Sequence, residues 1–458
     1  MSASFALPDR RTPRGLDAWI ASALAAAALL LGGQGMYLTL VEAVPQAIGL
    51  GILIYLVAGR GMDVPAGAVW PVLIALLLLC VPLVQLMPLP ETIWQTLPGR
   101  SFAREISTVA GVAGRRMLSL DPDGTRDAAI QLIPAVAMFL LALRLDRRGR
   151  LLLVSVVICV AAFSMLVGVL QVAGGAGSRL YLYPTLHAGL SVGLFANRNH
   201  QADLALIGLV LTAALLADAA GRGTATMRVR TLAGGLALLF AASLVATASR
   251  TGFALGLPVA VIGLLMLATS REISRRTLII LLVGGVVAGA GLILAGGGAF
   301  ARLGSRFGAT TDMRFVYWAD SWFAIQQYWP FGSGLGTFDP AYRAIEDLSN
   351  VTPFYANAAH NDYLQLLLEV GIVAPILFTL FSVWLMVAAW RVWREERDMV
   401  RIGALAGMLV LLAHSFTDYP LRTVALSTMF GMLAALLLPP MPGGELGDTR
   451  RRRRRSAA

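Results

Sequence analysis

The chain contains no lysine, and all 37 of its basic residues are arginine. Its 458 residues include two cysteines and four histidines, and only 14% of the sequence is charged. Each shortage excludes something. Cys80 and Cys159 sit inside apolar runs, so they read as small core residues, with no disulfide framework and no clustered Cys/His metal set. There is no Walker loop, no HExxH and no aspartate pair suited to a metal. GSGLGTF resembles a dinucleotide loop only superficially, because no βαβ unit surrounds it. The scarcity of charge is matched by 57% hydrophobic residues, whereas soluble domains carry about a quarter charged residues. The chain reads as an all-α polytopic membrane protein, a single integral membrane domain over 1–458.

The net charge of +11 does not argue for nucleic acid, since much of it is the run Arg450–Arg455. A basic tail over 440–458 beside a membrane enforces orientation and touches anionic lipid. The arginine bias itself reads as genomic composition. It still matters chemically, because arginine stays charged and grips phosphate bidentately. The first apolar run lacks a small-residue cleavage site and more spans follow it, so no cleavable signal peptide is read there.

Apolar segments near 17–33, 38–58, 68–88, 128–143, 151–171, 201–219, 231–248, 252–269, 277–297, 362–389, 400–416 and 422–439 predict about 12 transmembrane helices. The fourth is short and the tenth long. Arginine-rich short loops, RLDRRGR at 144–150 and GRGTATMRVR at 221–230 among them, fall on one side with both termini. That side is expected to be cytoplasmic. Three longer loops then face outward: 89–127, 172–200 and a large one at 298–361, between helices 9 and 10. A helix around 312–330 and a glycine-rich turn, FGSGLGTF, are expected within the third.

Polar residues gather at that outer face. Arg198, Arg250 and Arg314 stand beside apolar spans. Arg250 lies in a minimal turn, where it either snorkels or meets an anion at the exposed N–H groups of the next helix. In FYANAAHNDYLQLLLEVG, Phe354 to Gly371, His360 is either a loop histidine bonded to a carbonyl or a base for a hydroxyl. Asn361 and Asp362 suit a helix start. Glu369, further along the same helix, should face the bundle or a wet cavity. His414 and Asp418, in HSFTDYPLR, could meet it. The many aromatics of the third loop, Trp318 and Trp322 among them, and Tyr363 just after it, read either as interfacial anchors or as a platform for sugar rings.

Four motifs occur in order: GLFANRNHQADLAL (193–206), ASRTGFALG (248–256), RFVYWADSW with PFGSGLGTF (314–338) and AAHNDYLQLLLEVGIVA (358–374). Together with the large loop after the ninth span, they resemble the O-antigen ligase and O-antigen polymerase superfamily. The resemblance implies a fold similar to GT-C-type glycosyltransferases and a place in the bacterial inner membrane. It implies a metal-independent, inverting glycosyltransferase without a cofactor. The donor would be a polyprenyl-diphosphate-linked glycan, and the acceptor a glycan or lipid A core, with polysaccharide assembly proteins as further partners. It makes His360 the catalytic residue and Arg250 and Arg314 the diphosphate contacts. Asn197 and Asn199 match its asparagine positions, with Arg198, Asn361, Asp362 and Glu369 as supporting polar groups. A repeat-unit polymerase for O-antigen or exopolysaccharide is the nearest alternative. A flippase for lipid-linked glycans would use the same arginines, but such proteins show internal repeats and polar sites near the midplane.

Overall fold

A computed structural model describes residues 13–34, 40–59, 65, 67–111, 116–270, 272, 276, 313–347, 356–394 and 398–442. Its long helices are α1 (Pro13–Leu31), α2 (Ala43–Ala58), α3 (Val69–Gln85), α4 (Pro122–Ala142), α5 (Arg147–Ala173), α6 (Arg198–Gly221), α7 (Met227–Thr247) and α8 (Arg250–Thr269). They continue as α9 (Met313–Tyr328), α10 (Asp362–Val370), α11 (Val373–Arg394), α12 (Met399–His414) and α13 (Val424–Leu436). Among the described residues eight helices are long and apolar enough to cross a membrane, and α3, α12 and α13 are shorter apolar helices. The expected ninth span, 277–297, lies outside the described residues, as do parts of the third loop and the basic tail from 443 onward.

Helix α4 begins earlier than its hydrophobicity predicts. Asp121 caps it, its side chain accepting from the Asp123 and Gly124 N–H groups at 3.2 and 3.1 Å, so SLDPDGTRDA starts the helix rather than filling the first loop. The expected tenth span is two helices, because Gly371 takes φ +56° between α10 and α11. The membrane-length helix therefore starts at Val373.

The central core runs through α1, α4, α5, α6, α12 and α13. α13 packs on α4, and α6 packs on α7, α8 and α12. At one end, arginines fasten the frame. Arg150 donates to the Leu438 carbonyl at 2.5 Å and the Pro439 carbonyl at 3.1 Å, and Arg401 donates to Leu437 at 3.0 Å. These bonds satisfy carbonyls at the end of α13 that helix geometry leaves open. Arg144 pairs with the buried Asp17 at 2.8 Å.

The opposite end gathers the starts of α4, α6, α8 and α13, the ends of α5, α7 and α12, and the third loop. FGSGLGTF is the hinge pin of this end. Gly332 has φ +79°, and a Cβ there would sit 2.5 Å from the Glu369 carbonyl. The turn is stitched to the end of α10 by Ser333 N–H to Leu368 (3.0 Å) and Gly334 N–H to Glu369 (2.9 Å). Gln85 ties both to α3, donating to the Glu369 carbonyl at 3.0 Å and accepting from Leu335 N–H at 2.8 Å. The glycines thus serve close backbone packing.

Candidate active site

Helix α9 packs on α10, bringing the third loop over the turn that follows α12. Asn361 caps α10, accepting from Tyr363 N–H and Leu364 N–H at 3.0 and 3.1 Å. The residue before the cap is His360, whose φ of +48° is a left-handed conformation unusual for a side chain of its size. Such a backbone persists only where its surroundings over-determine it. Here they do. The neighbouring Ala359 N–H donates to Gln365 Oε1 at 3.1 Å, and His360 Nδ1 meets Asp418 Oδ1 at 3.0 Å.

Asp418 is the centre of the site. It is fully buried. Oδ1 also accepts from the Tyr419 N–H at 3.1 Å, and Oδ2 accepts from the side-chain amides of Asn197 (3.1 Å) and Asn199 (2.5 Å). Burial works against its charge, yet the hydrogen bond from His360 and the surrounding imidazoles hold its carboxyl well below the usual range. A carboxylate on Nδ1 keeps the proton there and leaves Nε2 as an acceptor. The ring of His360 is 24% exposed. Tyr317 stacks on it, centroids 6.1 Å apart, and Tyr419 packs edge-on at 5.0 Å.

Arg250 opens α8 behind Ser249, whose hydroxyl accepts from Gly252 N–H at 3.2 Å. Arg198 fixes the preceding turn, donating to the carbonyl of Ala248 at 3.3 Å; Ala248 itself has φ +49°. Thr251 and Thr417 hydroxyls lie 3.0 Å apart, so the start of α8 adjoins the Asp418 turn. Arg314 lies in the first turn of α9 and within electrostatic range of His414. Both Arg250 and Arg314 are half-buried.

Glu369 does not meet His414 or Asp418. It is fully buried and pairs with Arg422, Nη1 to Oε2 at 2.7 Å, and accepts from Gln365 at 3.2 Å. The reason is directional: Glu369 lies at the far end of α10, next to the turn Pro420–Arg422, while His360 precedes that helix. His414 instead contacts Asp203, buried in α6, at 2.5 Å. Asp362 accepts from the Ser415 hydroxyl at 2.9 Å and the Leu421 N–H at 3.2 Å. Burial pushes its carboxyl up to about 6, against the pull of Arg422. Of the aromatics, Trp322 is half-exposed on α9 and Trp318 packs edge-on to Phe315. Tyr363 faces the bundle, donating to the Leu412 carbonyl at 2.8 Å. His200 is fully buried between Phe195 and Tyr419.

The sequence reading missed the pairing of Asp418 with His360 and the role of Arg422. HSFTDYPLR held both residues, but their partners are far away in the chain. Among the described residues no three His, Cys, Asp or Glu side chains assemble as a metal cluster.

The arrangement can do acid–base work at a hydroxyl beside two cations able to hold an anionic group. A comparison with curated proteins finds no match. Residues 235–379, which include Arg250, Arg314 and His360, match the family model described as O-antigen ligase.

Proposed function

We propose that the protein is an O-antigen-ligase-like glycosyltransferase. It would move a glycan from a polyprenyl diphosphate to a hydroxyl of an acceptor, lipid A core, at the periplasmic face of the inner membrane. One observation carries the reading: a buried Asp418 holds Nδ1 of His360 at 3.0 Å, beside the helix starts that bear Arg250 and Arg314. In this scheme the acceptor oxygen attacks the anomeric carbon while Nε2 of His360 takes its proton. The bond from that carbon to the diphosphate oxygen breaks on the opposite face, inverting the centre. The charge that grows on the leaving diphosphate meets Arg250 and Arg314, fixed beforehand by their helix starts. Arg198 acts through the Ala248 carbonyl as a positioning residue for Arg250. Arginine-rich loops at the other end of the bundle support cytoplasmic termini.

The test uses purified protein in lipid with a polyprenyl-diphosphate-linked repeat unit, with and without lipid A core, and sizes the products. Transfer that requires the core is the expected result. A ladder of longer lipid-linked glycans without core would make the protein a repeat-unit polymerase instead. Donor carried across the bilayer with no covalent product would overturn glycosyl transfer altogether. Arg250→Ala should lower kcat by about 10²–10³-fold, the usual worth of one fixed donor to a developing negative charge.

A further inference from the structure

The first loop folds back against the third and leaves a cavity of about 370 Å³ between them, within the size range of small-ligand pockets. The loop is closed at its root, where Pro88–Leu89 pairs antiparallel with Arg116–Met117. Its short helix Ser101–Val109 walls the cavity with Phe102, Ile106 and Ser107. Facing them are Tyr328, at the end of α9, and Pro340 and Ala344, in and just after the short helix Phe338–Arg343. Of the described spanning helices only α4 reaches the cavity, by its first residue, Pro122. The cavity therefore lies off the end of the bundle, in reach of a water-borne polar group rather than an acyl chain. Pro340 and Ala344 stand two residues before and two after Tyr342, hence on the opposite face of that helix. Tyr342 meets Tyr317 edge-on at 6.1 Å, and Tyr317 stacks on His360. The cavity and the candidate base thus occupy opposite sides of one short helix.

Two arginines set its charge. Arg116 lines the cavity, its guanidinium 4.9 Å over the Trp94 ring and its Nη1 donating to the Ser107 hydroxyl at 2.9 Å. Those contacts fix the plane of the group. Nη2 bonds to nothing and remains accessible. Among the described residues no carboxylate pairs with Arg116 or lines the cavity. Arg100 stands just behind the wall. It donates to the Leu118 carbonyl at 2.5 Å, between the lining residues Met117 and Ser119, and lies 5.8 Å over Tyr328. It is 2% exposed, with Nε and Nη1 unbonded. Burial pulls its guanidinium down to about 10, with no carboxylate to oppose that. A buried cation without a counter-ion is costly. Arg100 is out of touch from the cavity, but its charge acts through the wall, where a low dielectric extends its reach. The remaining cue is Phe102, 53% exposed at the cavity's edge. Two cations, no acid and an open phenyl ring suit an anionic group carried on a ring with an apolar face. A pyranose bearing a carboxylate or a phosphate has that form: its C–H face rests on Phe102 and its anion meets Nη2 of Arg116.

We propose that this cavity is a subsite for an anionic sugar unit, with Arg116 as its anion contact and Phe102 as its stacking face. That the unit belongs to the transferred glycan rests on the glycosyl-transfer reading above. The subsite would then grip the glycan away from its reacting end, on the far side of Phe338–Arg343 from His360.

Saturation-transfer NMR on the full-length protein in phosphatidylcholine nanodiscs tests this with four probes: methyl glucuronide, glucose phosphate, methyl glucoside and glycerol phosphate. At least one anionic sugar should bind about tenfold tighter than the glucoside, the worth of one hydrogen bond to a charged group. The tighter of the two names the anion, carboxylate or phosphate. Arg116→Gln should level the anionic sugars with the glucoside. Ala344→Trp should fill the cavity from the third-loop side and remove the preference without touching Arg116. Both variants are read in protein that melts like wild type. Arg250→Ala should leave the preference in place. Equal affinity for all three sugars, or a preference that survives Arg116→Gln or Ala344→Trp, would overturn the proposal. So would a preference lost in Arg250→Ala, which would move it to the candidate active site. Glycerol phosphate binding as tightly as the anionic sugars would point to a lipid headgroup and overturn the sugar assignment. Binding needs no turnover, so failure of the transfer assay would count against catalysis alone, and the probe preferences decide the cavity in either case.

Discussion

Replacing Asp418 by asparagine tests the centre of the site with the least change in shape. The amide oxygen of Asp418→Asn can still accept from Asn197 and Asn199, which now reach Oδ2 at 3.1 and 2.5 Å. The amide nitrogen then faces Nδ1 of His360, now 3.0 Å from Oδ1, and the Tyr419 N–H loses its acceptor there. That nitrogen donates, so Nδ1 has to accept, and the imidazole proton moves to Nε2. The group expected to take the acceptor's proton is then already protonated. A hydrogen bond to a charged partner is worth about 1.5–3 kcal/mol, and each 1.36 kcal/mol is tenfold in rate. The charge-assisted bond alone predicts a loss of about 10- to 100-fold in kcat, and the wrong tautomer adds to it. KM for the donor should hold, because Arg250 and Arg314 are untouched. Steady-state transfer kinetics with the lipid-linked donor would measure kcat and KM separately. Wild-type kcat in Asp418→Asn, or a loss confined to KM, would refute the dyad.

Other perturbations read the frame rather than the chemistry. Arg422→Met leaves Glu369 and Asp362 buried without their cation and should cost about 3–5 kcal/mol, seen as a lower melting temperature in detergent. Gly332→Ala puts a Cβ 2.5 Å from the Glu369 carbonyl at φ +79° and should destabilise by more than about 1 kcal/mol; a melt equal to wild type would mean the turn is not pinned as described. For Asp362, whose carboxyl is pushed up to about 6, the folded state holds the proton longer than an unfolded chain with an ordinary value near about 3.9. Its contribution is therefore fully present below about pH 4 and is lost as pH rises through about 6. Asp362→Asn lacks this loss, so its melting temperature relative to wild type should rise between about pH 4 and 6.5. Asp418 runs the other way: its contribution is present above the ordinary carboxylate range and lost only in strong acid.

The helices were legible because the bilayer imposes them: any spanning segment must satisfy its own backbone and present an apolar surface, and both demands are written in consecutive residues. Caps were equally local. Asn361 and Asn197 bond to N–H groups two or three residues on, so the starts of α10 and α6 could be read from neighbouring letters. The sequence by itself therefore determined the membrane class, most helix positions and a helix around 312–330, while the trio Arg250, Arg314 and His360 was singled out by the motif resemblance and stays a proposal. Partnership was not local. Asp418 is 58 residues from His360 and 221 from Asn197. In the sequence nothing marks Asp418 as the partner of His360 rather than a neighbour of Glu369. Only the packing of α9 on α10, and of α12 on α6, decided that Asp418 goes to His360, that Arg422 goes to Glu369, and that Tyr363 turns inward to the Leu412 carbonyl. Helical periodicity fixes which face a residue occupies, but the choice of partner depends on which helices become neighbours, and that is settled by the bundle as a whole.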